Sequence, residues 1–201
     1  MVIVDKESAG VSIEQEFTSM DGGEHLAMCF TSVKVPLCNM IGKPGEGMPR
    51  ALKSIADIRL MVAAEATGTC IWLLGFLEDK LKAPHRSGEA LAEKENIRLQ
   101  YADMRIKVYM ARAMLYRTAR IVDSGENAVN EISACKIIAT ELVGDLVDRA
   151  IQLVGGQALV VGHPLEKLYR EVRSLKLVEG ANDLLRLNIA KGRLDLKLGR
   201  L

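Results

Sequence analysis

From Leu52 onward the apolar positions recur at every third or fourth residue, the spacing of one buried helical face. Leu52, Ile55, Ala56, Leu60, Ala63, Ala64 and Ala66 open a long helix. Pro49 suits its first turn, where a missing N–H costs nothing. The pattern runs to Leu81–Lys82 and breaks over Ala83-Pro84-His85-Arg86-Ser87-Gly88. Ser87 or Gly88 can cap a second helix, with Glu89 favouring its positive end. That helix carries Leu91, Ile97, Tyr101, Met104, Val108, Leu115 and Ile121 and stops at Asp123-Ser124-Gly125. A third starts near Asn127, keeps the period through Ile132, Cys135, Ala139, Val143 and Leu153, and ends at Gly155–Gly156. A short connector and an Arg-rich turn then lead to a fourth helix, which starts near Gly180 and ends before Gly199. Four helices of roughly 20 to 35 residues on this pattern make an up-down bundle.

Residues 1–45 read differently. Val2-Ile3-Val4, the partly alternating Val11–Phe17 and the stretch Leu26–Val35 before Pro36 predict three short strands joined by turns. Three strands are too few for a barrel or sandwich and leave edges unpaired, so this piece is expected to be part of a β-domain. The fold class is therefore mainly α: a four-helix bundle over 46–201, preceded by a short antiparallel β remnant over 1–45.

Composition agrees with helices. The chain is 49% hydrophobic and only 4% aromatic, which favours a Leu, Ile, Ala and Met core over a β-sandwich. A net charge of +1 with no dense basic run argues against nucleic acid as a partner and against binding at a membrane surface. No secretory signal is legible and no apolar run approaches a bilayer span, so a cytoplasmic or organelle-matrix location is expected. Cys29, Cys38, Cys70 and Cys135 lack CxxC spacing and read as reduced thiols, and no metal site is expected.

One stretch carries candidate chemistry, Ala150–Ala190, with Glu179 in its middle and apolar residues on its N-terminal side. A lone carboxylate there is either a helix-start residue facing a positive helix end or an acid/base whose pKa rises when solvent is excluded. Gly155–Gly156 reads as a helix stop.

Several motifs then fall in a recognisable order. They are Phe30-Thr31-Ser32-Val33-Lys34-Val35-Pro36, Ile41-Gly42 with Gly45-Glu46-Gly47, Leu52 to Arg59, and Leu99 to Met104. Three more follow: Ala150-Ile151-Gln152-Leu153-Val154-Gly155-Gly156, Pro164-Leu165-Glu166-Lys167-Leu168-Tyr169-Arg170-Glu171, and Val178-Glu179-Gly180-Ala181. Together they resemble the second half of an acyl-CoA dehydrogenase, from the end of its middle β-domain through its C-terminal helical domain. The resemblance implies FAD-dependent α,β-dehydrogenation of an acyl-CoA thioester, with Glu179 as the base. It implies cofactor contacts at Arg86, Ser87, Gln152, Gly155, Gly156, Ala181 and Asp183, and substrate-side positions at Leu52, Arg59 and Gly180. It further implies a homo-oligomer, because the family holds FAD across a subunit interface, or a partner chain that supplies the missing N-terminal half. The chain departs from the family pattern at Pro84 and Ser87 (arginine and phenylalanine in the family), Glu95 (glutamine), Val178 (an aromatic) and Ala181 (threonine). These departures leave a second reading, a non-catalytic helical dimerisation or interaction module derived from the family.

Overall fold

The computed structural model describes residues 1–196 and Leu201, and the chain divides into two compact units, Met1–Ile55 and Ala56–Leu201. Among the described residues there are two strands and five α-helices.

In the first unit, β1 (Val11–Thr18) and β2 (Glu24–Phe30) form an antiparallel hairpin, with Val11 opposite Phe30, Thr18 opposite Glu24 and an irregularity between Ile13 and Gln15. Asp21 shapes the connecting loop by accepting from the Ser19 hydroxyl and, at 3.0 Å, from the Gly23 N–H. The expected third strand does not form. Val2 makes only an isolated bridge to Met40, held by Ile3 N–H to Asn39 O and Ile41 N–H to Met1 O, both 2.9 Å. The expected strand ending at Val35 stops at Phe30, because Ser32 turns left-handed (φ 51°) and Pro36 leads into a 3-10 turn. Gly10 sits where the hairpin closes, at φ 92°, and its missing Cβ makes room for the carbonyl of Thr31. Ile13, Phe17, Leu26 and Phe30 are all exposed, so the hairpin buries little apolar surface of its own.

α1 (Gly47–Lys82) begins in the first unit and continues through the second. Its residues Ala63, Ala66, Cys70, Leu73 and Leu77 have no exposed surface and lie at helical spacing. They pack with Met104, Val108 and Ala111 of α2 (Glu95–Asp123) and with Cys135, Ala139, Val143, Leu146, Val147 and Ala150 of α3 (Val129–Val154). By length and composition α1 could cross a membrane, which corrects the sequence expectation; 44% of its most apolar stretch is buried within this fold.

α2 starts later than expected. After Gly88 the chain makes a 3-10 turn at Leu91–Glu93 and enters the helix through Lys94, so neither Ser87 nor Gly88 is the cap. The Arg-rich connector is also corrected, for Pro164–Ser174 is a helix, α4. Pro164 occupies its first turn, the His163 ring accepts the Leu165 N–H at 3.2 Å, and Glu166 pairs with Arg170 at 2.7 Å. Leu165 and Val172, spaced two turns apart, bury against the core. The last helix, α5 (Asn182–Leu194), is therefore short, and the expected stop at Gly199 lies outside the described residues.

Cys70 and Cys135 are buried, and burial pushes the Cys70 thiol up to about 12, so it stays protonated and inert. All four cysteines are free.

Candidate active site

The seven residues between α4 and α5 form a tight turn. Ser174 O accepts the N–H groups of Leu177 (2.8 Å) and Val178 (3.0 Å), and the Asn182 N–H closes the turn on Lys176 O at 3.0 Å. At its apex Glu179 has φ 55° and Gly180 φ 104°. The left-handed region costs a residue with a Cβ roughly 1–2 kcal/mol, so something must hold Glu179 there.

Two cations do so. Arg59 of α1 donates from Nε to Glu179 O at 2.8 Å, and Lys136 of α3 donates from Nζ to Gly180 O at 3.0 Å. Two successive peptide planes are thereby fastened to two different helices. Gly180 also needs its lack of a side chain, since a Cβ would stand 3.2 Å from Arg59 Nη2 and 3.5 Å from Leu185 Cδ2.

Lys136 has no exposed surface. Its second acceptor is Asn182 Oδ1 at 2.9 Å. The Asn182 amide is oriented by its other end, which donates to Thr140 Oγ1 (3.0 Å) and Glu141 Oε1 (3.2 Å). The Thr140 hydroxyl in turn donates to Lys136 O at 2.8 Å, closing a ring of hydrogen bonds. Arg186 of α5 binds Glu141 Oε2 at 2.7 Å, and this hydrogen bond, ahead of all other causes, holds the Glu141 carboxyl below its ordinary range.

Burial, then the neighbouring Arg59 charge, pulls the Lys136 ammonium down from 10.5 to about 8, while Glu141 and Glu179 partly oppose the shift. Burial also lowers Arg59, against the opposing attraction of Glu179. Above pH 8 the folded chain holds fewer protons at Lys136 than the unfolded chain, until the unfolded lysine also titrates near 10.5. Stability contributed by this group therefore rises with pH across that window, by about 2 kcal/mol between pH 7.5 and 9.5. Urea unfolding at the two pH values checks this, with Lys136→Met expected to abolish the group's share of the slope.

The structure brings Glu179, Gly180, Ala181, Asp183 and Arg59 together at this turn. Ala181 is the N-cap of α5, its carbonyl accepting the Leu185 N–H at 3.1 Å, and the exposed Asp183 pairs with Arg186 at 3.5 Å. Glu179 is half-buried, whereas its neighbours Leu177 and Val178 are 58% and 39% exposed, so this chain does not wall the carboxylate in by itself. Leu52 is exposed in the other unit.

The remaining expected residues lie elsewhere. Gln152 is exposed on the last turn of α3, about 24 Å along the helix from Lys136. Gly155 caps α3 with φ 85° and its N–H on Ile151 O, and a Cβ at Gly155 or Gly156 would meet open space, so the main chain there is approachable. Arg86 and Ser87 are exposed in the turn after α1, whose end lies about 35 Å from Arg59 along the helix. The Ser87 hydroxyl pairs with His85 Nδ1 at 2.9 Å. Among the described residues no group of three His, Cys, Asp or Glu is arranged to hold a metal.

Sequence reasoning missed Lys136, Thr140, Glu141 and Asn182. A signal was present: Lys136 falls on the same helical stripe as Thr140, Val143 and Val147, where every other residue is neutral and buried.

Residues 45–194 match the family model described as acyl-CoA dehydrogenase, C-terminal domain. The chain belongs to the acyl-CoA dehydrogenase family. Among its relatives is the acryloyl-CoA reductase (NADH) of Anaerotignum propionicum, 29% identical over 195 residues that cover 94% of this chain and 49% of that protein. An acyl-CoA dehydrogenase of Bacillus subtilis is 28% identical over 191 residues, covering 94% of this chain and 50% of that one. Of the solved structures, PigA with FAD and proline superposes with a TM-score of 0.90 at 22% identity, covering 98% of this chain and 52% of PigA, a likeness of fold. The chain thus spans about half the length of the acyl-CoA dehydrogenase relatives it matches.

Proposed function

We propose that this chain is the base-bearing half of a flavin-dependent oxidoreductase acting on the CH–CH bond of an acyl-CoA thioester. Glu179 accepts the α-proton, and the β-hydrogen leaves as hydride. FAD, when bound, supplies the acceptor for that hydride. The observation that carries the reading is the clamped left-handed turn, which spends backbone strain to present one carboxylate at a fixed place. Exposed Leu177 and Val178 leave an apolar face beside the carboxylate, on which substrate and cofactor can close an apolar wall. Closing that wall excludes water from the reacting groups, so the proton passes directly from substrate to carboxylate.

Gln152 and the open main chain at Gly155–Gly156 suit the nucleotide half of the cofactor. They stand at the opposite end of the bundle from Glu179, and an assembly of two copies would let one chain's glycines serve the other chain's base. A homo-oligomer in the cytoplasm or an organelle matrix follows from this reading.

The first test is the visible spectrum of the purified chain with and without FAD. A saturable flavin band, bleached by an acyl-CoA, is the expected result. A colourless protein that ignores FAD overturns the catalytic reading. It would favour the non-catalytic module, a reading the carboxylate of Glu95 in the first turn of α2 supports, since it places negative charge where a phosphate-bearing cofactor would be repelled.

A further inference from the structure

We propose that Lys136 is a positioning residue for Glu179, a role that rests on the reading of Glu179 as the base. The ammonium sits on α3 and bonds to both the turn and the start of α5. It bonds Gly180 O and Asn182 Oδ1, and Asn182 is the residue whose main-chain N–H closes the turn on Lys176. Arg59 holds the peptide plane directly after the Glu179 Cα, and Lys136 holds the next one. Together they fix both dihedrals of Gly180 and anchor the peptide plane that leaves the Glu179 Cα, the frame from which the carboxylate projects.

A buried lysine is a poor way to gain stability alone. Its desolvation opposes folding, and an apolar side chain of the same length would fill the space without that cost. The arrangement around it serves orientation. The Asn182 amide is locked by Thr140 and Glu141 so that its oxygen faces the ammonium, and Thr140 returns the chain of bonds to Lys136's own carbonyl. A lysine with only a packing role would need none of this.

Lys136→Met tests the role because it keeps length and apolar contacts while deleting the donor. The readout is residue-resolved amide hydrogen exchange of the full chain. Expected is at least a tenfold acceleration at the Asn182 amide and its neighbours in the turn, with α3 amides such as those of Val143 and Val147 unchanged. Lys136→Gln, which cannot span to both acceptors, is read in the same way should the methionine variant not fold. Unchanged exchange in the turn overturns the proposal, as does an equal acceleration of turn and α3, which is the mark of a merely structural lysine. In the flavin-loaded assembly the same variant is expected to lower kcat at least tenfold with KM for the acyl-CoA held within threefold. Absence of flavin binding in the unmodified chain would count against the function proposed for Glu179 and would leave the exchange result intact, so the two failures are separable.

Discussion

Glu179→Gln is expected to lower turnover of an acyl-CoA by about a thousandfold in the complete flavin-loaded assembly, the range for removing a positioned general base. Glutamine keeps the length and shape of the side chain but its amide does not accept a proton at neutral pH. The turn itself should survive. The bonds from Arg59 and Lys136 end on main-chain oxygens, not on the carboxylate, so both fastenings remain after the substitution. Flavin content and acyl-CoA affinity should therefore stay near those of the unmodified protein, and the loss should fall on kcat. One further consequence follows from the charges. The Glu179 carboxylate helps hold protons on Lys136 and Arg59, so its removal should move the Lys136 titration further down, visible as an earlier rise of stability with pH. Stopped-flow bleaching of the flavin measures the first effect. Bleaching at an unaltered rate would mean that another group takes the proton.

The three long helices were legible because each repeats its apolar stripe over many turns and ends on strong punctuation, Gly155 and the Asp123-Ser124-Gly125 run among them. α4 was hidden for a physical reason. It is 11 residues long, five of them charged, and buries only Leu165 and Val172, so its periodic signal is two residues wide while its Arg and Glu content reads as a turn. The expected strand at Val2-Ile3-Val4 failed because a short apolar run speaks to burial and not to the presence of a partner; Val2 finds only Met40. Glu179 itself stood out as a carboxylate beside apolar residues, but its left-handed backbone and its two clamping cations come from positions 43 and 120 residues away in the chain, Lys136 and Arg59. No local pattern reports such a convergence. The single hint was a lysine on a stripe where the packing demands neutral residues.

Leu77→Ala should be one of the most damaging of the single core truncations in α1. Leu77 has no exposed surface and lies within the cluster that joins α1 to α2, α3 and α4. Deleting a leucine's outer carbons in such a place costs about 2–5 kcal/mol, part for transfer and part for the cavity left behind. Domains of this kind are stable by only about 5–15 kcal/mol, so the variant should lose a large share of its margin and melt about 10 °C lower. Leu99→Ala is the matched control, since Leu99 is 63% exposed on α2 and should shift stability by no more than about 0.5 kcal/mol. The comparison also decides what the apolar composition of α1 is for. A helix that lodged in a bilayer would not lean on Leu77 more than on its outward residues Met61 and Ile71, which are 68% and 45% exposed here. Urea unfolding of the three variants Leu77→Ala, Met61→Ala and Ile71→Ala ranks them directly. A loss at Leu77 several times that at the other two places the buried stripe of α1 in the protein core, while equal losses would contradict the packing around which the Glu179 turn is built.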